Sequence, residues 1–115
     1  MAEEFKFIKE KDKLNLLAVI KVLEFEELKI SLRGSSAVSS DYQDIDLNVW
    51  DTRKHHRENK EVIEKTLRDL GVKNIGFRDQ FKATWIRGRW YFNYNDTHFD
   101  LIYTPWGESL IGYEK

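Results

Sequence analysis

Asp44 and Asp46 stand two residues apart in Asp44-Ile45-Asp46-Leu47, inside a run of alternating polar and apolar residues. In an extended strand the side-chain period is two, so both carboxylates lie on one face. Two such groups repel unless a cation sits between them. A hard divalent ion such as Mg²⁺, which takes one or two carboxylates together with phosphate oxygens, suits them. Upstream, Leu32-Arg33-Gly34-Ser35-Ser36 reads as a strand ending in Gly-Ser, followed by a short helical turn. A glycine lets a backbone come close to phosphates, and free N–H groups at the turn attract anions. Alone, Gly-Ser is a turn and Asp-x-Asp a solvated strand face. In this order and this close, the two signals together become specific.

The elements that must position these residues follow from periodicity. Residues 12–27 are expected to be a helix, capped by Asp12, with Leu16, Leu17, Ile20, Leu23 and Leu28 on one side. Residues 1–9 are expected to lie loosely or along an edge. Lys29–Arg33 is a short strand, 36–40 a helical turn, and Asp44–Trp50 the clearest strand. Residues 53–70 form a second amphipathic helix, with Val62, Ile63, Thr66, Leu67 and Leu70 on its apolar face and Gly71 as its left-handed terminator. The aromatic-rich remainder reads as antiparallel strands at 72–78, 83–86, 89–94 and 97–104. Asn95-Asp96 supplies a two-residue turn and Arg87-Gly88 another.

Those turns predict a register. Tyr94 pairs with Thr97, Phe92 with Phe99 and Tyr91 with Asp100, while Trp85 pairs with Trp90 and Thr84 with Tyr91. Paired residues share a face. Trp85, Trp90, Phe92, Tyr94, Phe99 and Leu101 then form a dry face. Thr84, Tyr91, Asn93, His98 and Asp100 form a polar one. A third carboxylate, Asp100, is thereby raised on the wet side of the sheet, from hairpin pairing alone. His98 shares that side as a candidate proton carrier or partner of a metal ligand. Tyr91 is a candidate pocket wall. His55-His56 is read as a solvated pair, because adjacent helical positions diverge by about 100°. The other aromatics are read as hairpin core rather than a stacking platform for nucleic acid. Asp51, Asp69 and Asp79 are assigned to the surface.

Gly-Ser followed by Asp-apolar-Asp-apolar resembles the signature of the DNA polymerase beta-like nucleotidyltransferase superfamily. The stretch His98-Phe99-Asp100-Leu101-Ile102-Tyr103-Thr104-Pro105 resembles the closing strand of its minimal nucleotidyltransferase group. The resemblance is close over residues 28–50 and 97–110. It implies an α+β fold: a small mixed, largely antiparallel sheet with helices packed on one face. It also implies that Asp44, Asp46 and Asp100 hold two Mg²⁺ or Mn²⁺ ions and that Gly34 and Ser35 take the phosphates of a nucleoside triphosphate. The implied reaction is transfer of a nucleotide, AMP from ATP, to a hydroxyl acceptor with release of pyrophosphate. A helical HEPN-type protein is the implied partner, as in toxin–antitoxin pairs, and its hydroxyl the implied acceptor. Ser36 and Arg33 flank the motif as further candidates. The chain departs from the family pattern in three ways. Only Ser36 to Gln43 separate Gly-Ser from the first aspartate, no basic residue follows Ser35 closely, and Arg33 precedes the glycine where an apolar residue is usual. These departures motivate the alternative of a non-catalytic nucleotide- or partner-binding module that keeps the fold.

Composition narrows the classes further. The 115 residues are expected to form one domain, 1–115. Apolar residues are 41% and charged residues 34%, a globular composition. Without cysteine there are no disulfides, thiolate metal sites or cysteine nucleophiles. Nineteen basic residues against twenty acidic ones, a net charge of −1, disfavour a role in gripping long nucleic acid. No apolar run approaches a membrane span and the first residues carry no signal-peptide core, so a cytoplasmic location and no membrane partner are expected.

Overall fold

Two amphipathic helices can bury their apolar sides only against another layer, and here that layer is a five-stranded sheet. The computed structural model describes residues 5–50, 56–78 and 88–104, without the side chains of 56–59. In chain order the elements are α1 (Glu10–Phe25), β1 (Lys29–Arg33), a 3₁₀ turn (Ser35–Ala37), β2 (Ile45–Trp50), α2 (His56–Leu70), β3 (Lys73–Arg78), β4 (Gly88–Tyr94) and β5 (Thr97–Thr104). The strand order is β1-β2-β5-β4-β3. Among the described residues, β2 and β5 pair in parallel, and the other three pairings are antiparallel. The expected α+β fold with a mixed, largely antiparallel sheet is the one observed.

Both helices lie on one side. Leu16, Val19, Ile20 and Leu23 of α1 and Ile63 and Leu67 of α2 join Ile45, Leu47, Val49, Trp90, Phe92, Phe99, Leu101 and Tyr103 in one buried cluster. The strand contributors alternate, which leaves Asp46 and Asn48 of β2 and Asp100 and Ile102 of β5 on the opposite face. Glu64 of α2 accepts a hydrogen bond from the indole of Trp90 (3.1 Å), so the largest core side chain has its N–H satisfied.

Several local expectations hold. Gly71 adopts φ +109°, with its N–H donating to Arg68 and that of Val72 to Leu67, which closes the C-terminus of α2. Asn95 and Asp96 both have positive φ, as a tight hairpin turn demands. The predicted β4–β5 register is observed pair for pair, from Tyr94 with Thr97 to Tyr91 with Asp100.

Others are corrected. Asp12 does not cap α1. The helix begins at Glu10 after Lys9, and Asp12 lies in the first turn, buried. Its carboxylate accepts from the Tyr42 hydroxyl (2.6 Å) and from Thr97 Oγ1 (2.8 Å). Tertiary partners have claimed the oxygen that a cap would use. Leu17 is exposed, because the buried stripe runs through Val19 instead. Ile8, in the segment expected to be loose, is buried. Strand β2 starts at Ile45 rather than Asp44. Trp90 pairs with Phe77 of β3, not with Trp85, and Gly88 lies within β4 rather than at a turn. The proposed strand at 83–86, Trp85, Thr84 and Arg87 lie outside the described residues. So do the start of the helix at 53–55, His55, Asp51, Asp79 and the segment from Pro105 onward.

Candidate active site

Strand pairing builds the site as a transverse row. Arg33 of β1 lies opposite Asp46, Asp46 beside Asp100, and Asp100 opposite Tyr91. The parallel β2–β5 pairing puts two carboxylates from distant parts of the chain in register on the face opposite α1 and α2. Asp44 stands one residue before β2, exposed.

The Gly-Ser turn is folded against this row. Gly34 has φ +72°, and a Cβ built there would collide with the Asp46 carboxylate. Only glycine meets both demands, the positive φ and the close approach. Ser36, fully buried, donates from its hydroxyl to the Arg33 carbonyl (3.3 Å) and accepts from the Asp46 N–H (3.4 Å). It ties the end of β1 to the start of β2. Ser35 is exposed at the mouth of the turn.

The electrostatics are those of a crowded acidic site. Burial pushes the Asp46 carboxyl up from 3.8 to about 6; Asp100 and Asp44 add to the push, and Arg33 and Arg89 oppose it. Asp100 has its own cation. Arg89 donates to it through Nε (3.0 Å) and Nη2 (2.6 Å), a bidentate pair. That contact, more than the burial opposing it, raises the Arg89 pKa. The guanidinium also lies 4.8 Å from the centre of the Tyr91 ring. Among the described residues, the buried side-chain polar atoms left without a partner are Arg33 Nε and Asn48 Nδ2. Asn48 is two residues beyond Asp46, and its Oδ1 accepts from Thr104 (3.3 Å).

A cleft of about 480 Å³ opens beside the row. Asp44, Lys73, Asn74, Tyr91, Asn93 and His98 line its polar side. Tyr91 and His98 thus stand where the hairpin register put them. Arg89 was not predicted as the partner of Asp100, although a signal existed. It precedes Tyr91 by two, so it shares that face and reaches Asp100 diagonally. The links of Asp12 to Tyr42 and Thr97 had no local signal, since they join positions 30 and 85 residues apart.

The donor chemistry, three carboxylates around one row, fits a hard divalent cation. As the side chains stand, no group of three or more His, Asp or Glu among the described residues is arranged to hold a metal ion. No helix of the described residues is long and apolar enough to cross a membrane.

No family model matches the sequence, and no curated protein does. Solved structures do match the fold. A MgGTP-bound structure of the Cid1 poly(U) polymerase superposes with a TM-score of 0.60 at 16% identity, over 84% of this chain and 33% of that one. A second Cid1 structure, described as an RNA terminal uridylyl transferase, superposes with a TM-score of 0.52, also at 16% identity, over 84% of this chain and 32% of that one. The likeness is one of fold, shared with nucleotidyltransferases, and the chain spans about a third of the length of the structures it matches.

Proposed function

We propose that this chain is a metal-dependent nucleotidyltransferase. The observation that carries the reading is the meeting of Gly34 with Asp46, in register with Asp100, on the sheet face opposite α1 and α2, in a fold like that of nucleotidyltransferases. Two motifs that are unremarkable apart are packed here into one place.

In this reading Asp44, Asp46 and Asp100 hold two Mg²⁺ or Mn²⁺ ions. When bound, such ions stabilise charge on the attacking and leaving oxygens of an in-line displacement. The Gly34-Ser35 turn, exposed beside Asp46, takes the phosphates of the triphosphate. Ser36 keeps that turn at a fixed distance from Asp46. Arg33 balances the local negative charge. The cleft with Tyr91, Asn93 and His98 lies beyond Asp100, on the side away from Gly34, and receives the acceptor. A hydroxyl oxygen of the acceptor forms a bond to the α-phosphorus. The bond to the α–β bridging oxygen breaks, pyrophosphate leaves and the hydroxyl proton is lost to solvent. By resemblance the nucleotide is AMP from ATP, and the acceptor hydroxyl belongs to a helical HEPN-type partner.

The bidentate Arg89–Asp100 pair favours a second reading, a nucleotide- or partner-binding module without catalysis, because it supplies the charge balance a metal would otherwise provide. Thermal melts separate the two. The wild type and Asp46→Asn are melted with Mg²⁺ and each nucleoside triphosphate. Ligand at a hundred times its dissociation constant stabilises by about 2.7 kcal/mol. For a domain of this size that moves the melting temperature by on the order of ten degrees. A metal-dependent rise in the wild type that Asp46→Asn loses supports the nucleotidyltransferase reading. A rise that needs no metal, and survives in Asp46→Asn, supports the binding module. No rise with any triphosphate counts against the nucleotidyltransferase reading and favours a module that binds a partner instead of a nucleotide.

A further inference from the structure

We infer that Arg89 is a resident counter-ion of Asp100 that a divalent metal must displace before the third carboxylate can serve as a ligand. The inference rests on the proposed function and goes beyond it, since it concerns how the site is loaded.

The geometry leaves little room for both cations. The Asp100 side chain is 8% exposed, so its oxygens are approached only from the polar face of the sheet. Arg89 engages each of them there, Oδ1 through Nε at 3.0 Å and Oδ2 through Nη2 at 2.6 Å. The planar fork of a guanidinium takes one lone pair on each carboxylate oxygen, and with the side chain 8% exposed there is little access to the others. A metal at Asp100 therefore replaces Arg89 and does not join it. Asp46 is placed differently. Its cationic neighbours act on it through charge, and its backbone N–H goes to Ser36.

The displaced side chain has somewhere to go. Arg89 is 33% exposed and lies over the Tyr91 ring, so its head can turn toward the cleft with the cation–π contact kept. Its position on β4, opposite Ile102, requires no backbone change for this. Loading is consequently ordered: the Asp44–Asp46 end takes an ion first and Asp100 completes the site second. A phosphate group arriving in the cleft would offer the freed guanidinium a new partner. Metal and phosphate ester then favour each other's binding through Arg89, by a reciprocal coupling.

The test is calorimetric titration of Mn²⁺ and Mg²⁺ into the wild type, Arg89→Met and Arg89→Lys. It runs alongside the Nε–H signal of Arg89 in the wild type, followed by NMR. Arg89→Lys keeps the charge and loses the fork, so a gain there is not mere removal of repulsion. The expected result is tighter metal binding by about tenfold or more in Arg89→Met, with a smaller gain in Arg89→Lys. The wild-type Nε–H signal should move from its bonded position as metal saturates. If the wild type binds metal and neither variant binds it more tightly, Arg89 does not compete and the inference falls while the proposed site stands. If neither the wild type nor the variants bind metal, both fall. Circular dichroism in EDTA checks the fold of the variants. Should they fail to fold, an Nε–H signal unmoved at saturating metal overturns the inference.

Discussion

Asp46 shows how one half-buried carboxylate makes stability depend on pH and, under the proposed function, on metal. Its folded pKa, raised from 3.8 to about 6, means that the native state holds the proton more tightly than the unfolded chain does. Stability from this group is therefore greatest below about pH 4, falls as the pH rises toward 6 and is level above that. Keeping the carboxylate ionised in the fold at neutral pH costs on the order of 2 kcal/mol, with solvent screening of its accessible part allowed for. Asp46→Asn is accordingly expected to stabilise the metal-free protein at pH 8 and to lose that advantage near pH 4. Thermal melts in EDTA across this range check the sign. A variant less stable than the wild type at pH 8 would mean that attraction to Arg33 outweighs the burial. Metal reverses the logic, because a bound divalent ion favours the ionised form. Metal affinity should then weaken below about pH 6. Gly34 completes the residue-scale picture: its missing side chain is what allows Asp46 to sit against the turn at all.

At the scale of elements, the hairpin β4–β5 and helix α1 do most of the positioning. The hairpin places Tyr91 opposite Asp100 through its two-residue turn. Helix α1 then pins both the hairpin and the segment that leads to Asp44. Asp12 accepts from Tyr42 and Thr97, Asn15 donates to Thr97 Oγ1 (2.7 Å) and to the Asn95 carbonyl (3.1 Å), and the Lys9 N–H donates to the Tyr42 hydroxyl (2.9 Å). Burial, helped by the hydrogen bond to Asp12, pushes the Tyr42 phenol up to about 12, so it stays a donor at neutral pH. Tyr42→Phe leaves a buried carboxylate short of one donor and is expected to cost about 1–3 kcal/mol. Denaturant titration of Tyr42→Phe, Asp12→Asn and the double variant checks this. The two effects should be non-additive, since the residues share one bond.

For the molecule as a whole, the decisive feature is the parallel pairing at the centre of the sheet. Strand β5 lies between β2 and β4, and all of its residues but His98 are buried. Among the described residues strand β3 is an edge, exposed along most of its length. Amide hydrogen exchange should reflect that order. Amides of β5 and β2 are expected to open only with global unfolding, and those of Lys73–Arg78 through local fraying. Equal protection of β3 and β5 would contradict the observed strand order. A rigid centre with a looser edge also suits the site. The paired carboxylates lie on the stable strands, while Lys73 and Asn74 of the cleft lie on the loose one.

Much of this is legible in the chain itself, because it depends on neighbours within a few residues. Alternation set the face of β2 and β5, the Asn95-Asp96 turn set the hairpin register, and Gly71 closed its helix. The same local rules raised Asp100 onto the polar face and marked Gly34, Ser35, Asp44 and Asp46 as a group. Local rules failed where a distant partner outbid them. Asp12 satisfies Tyr42 and Thr97 instead of its own helix end, Trp90 pairs with β3, and Ile8 joins the core. The parallel register that sets Asp46 beside Asp100 spans 54 positions, and no turn in the sequence specifies it. The hairpin register puts Arg89 on the face of Asp100, but it does not say that Arg89 rather than another cation takes the carboxylate. Those two facts were decided by tertiary packing alone, because strand order and charge pairing are settled by which buried surfaces and desolvated charges are best satisfied together.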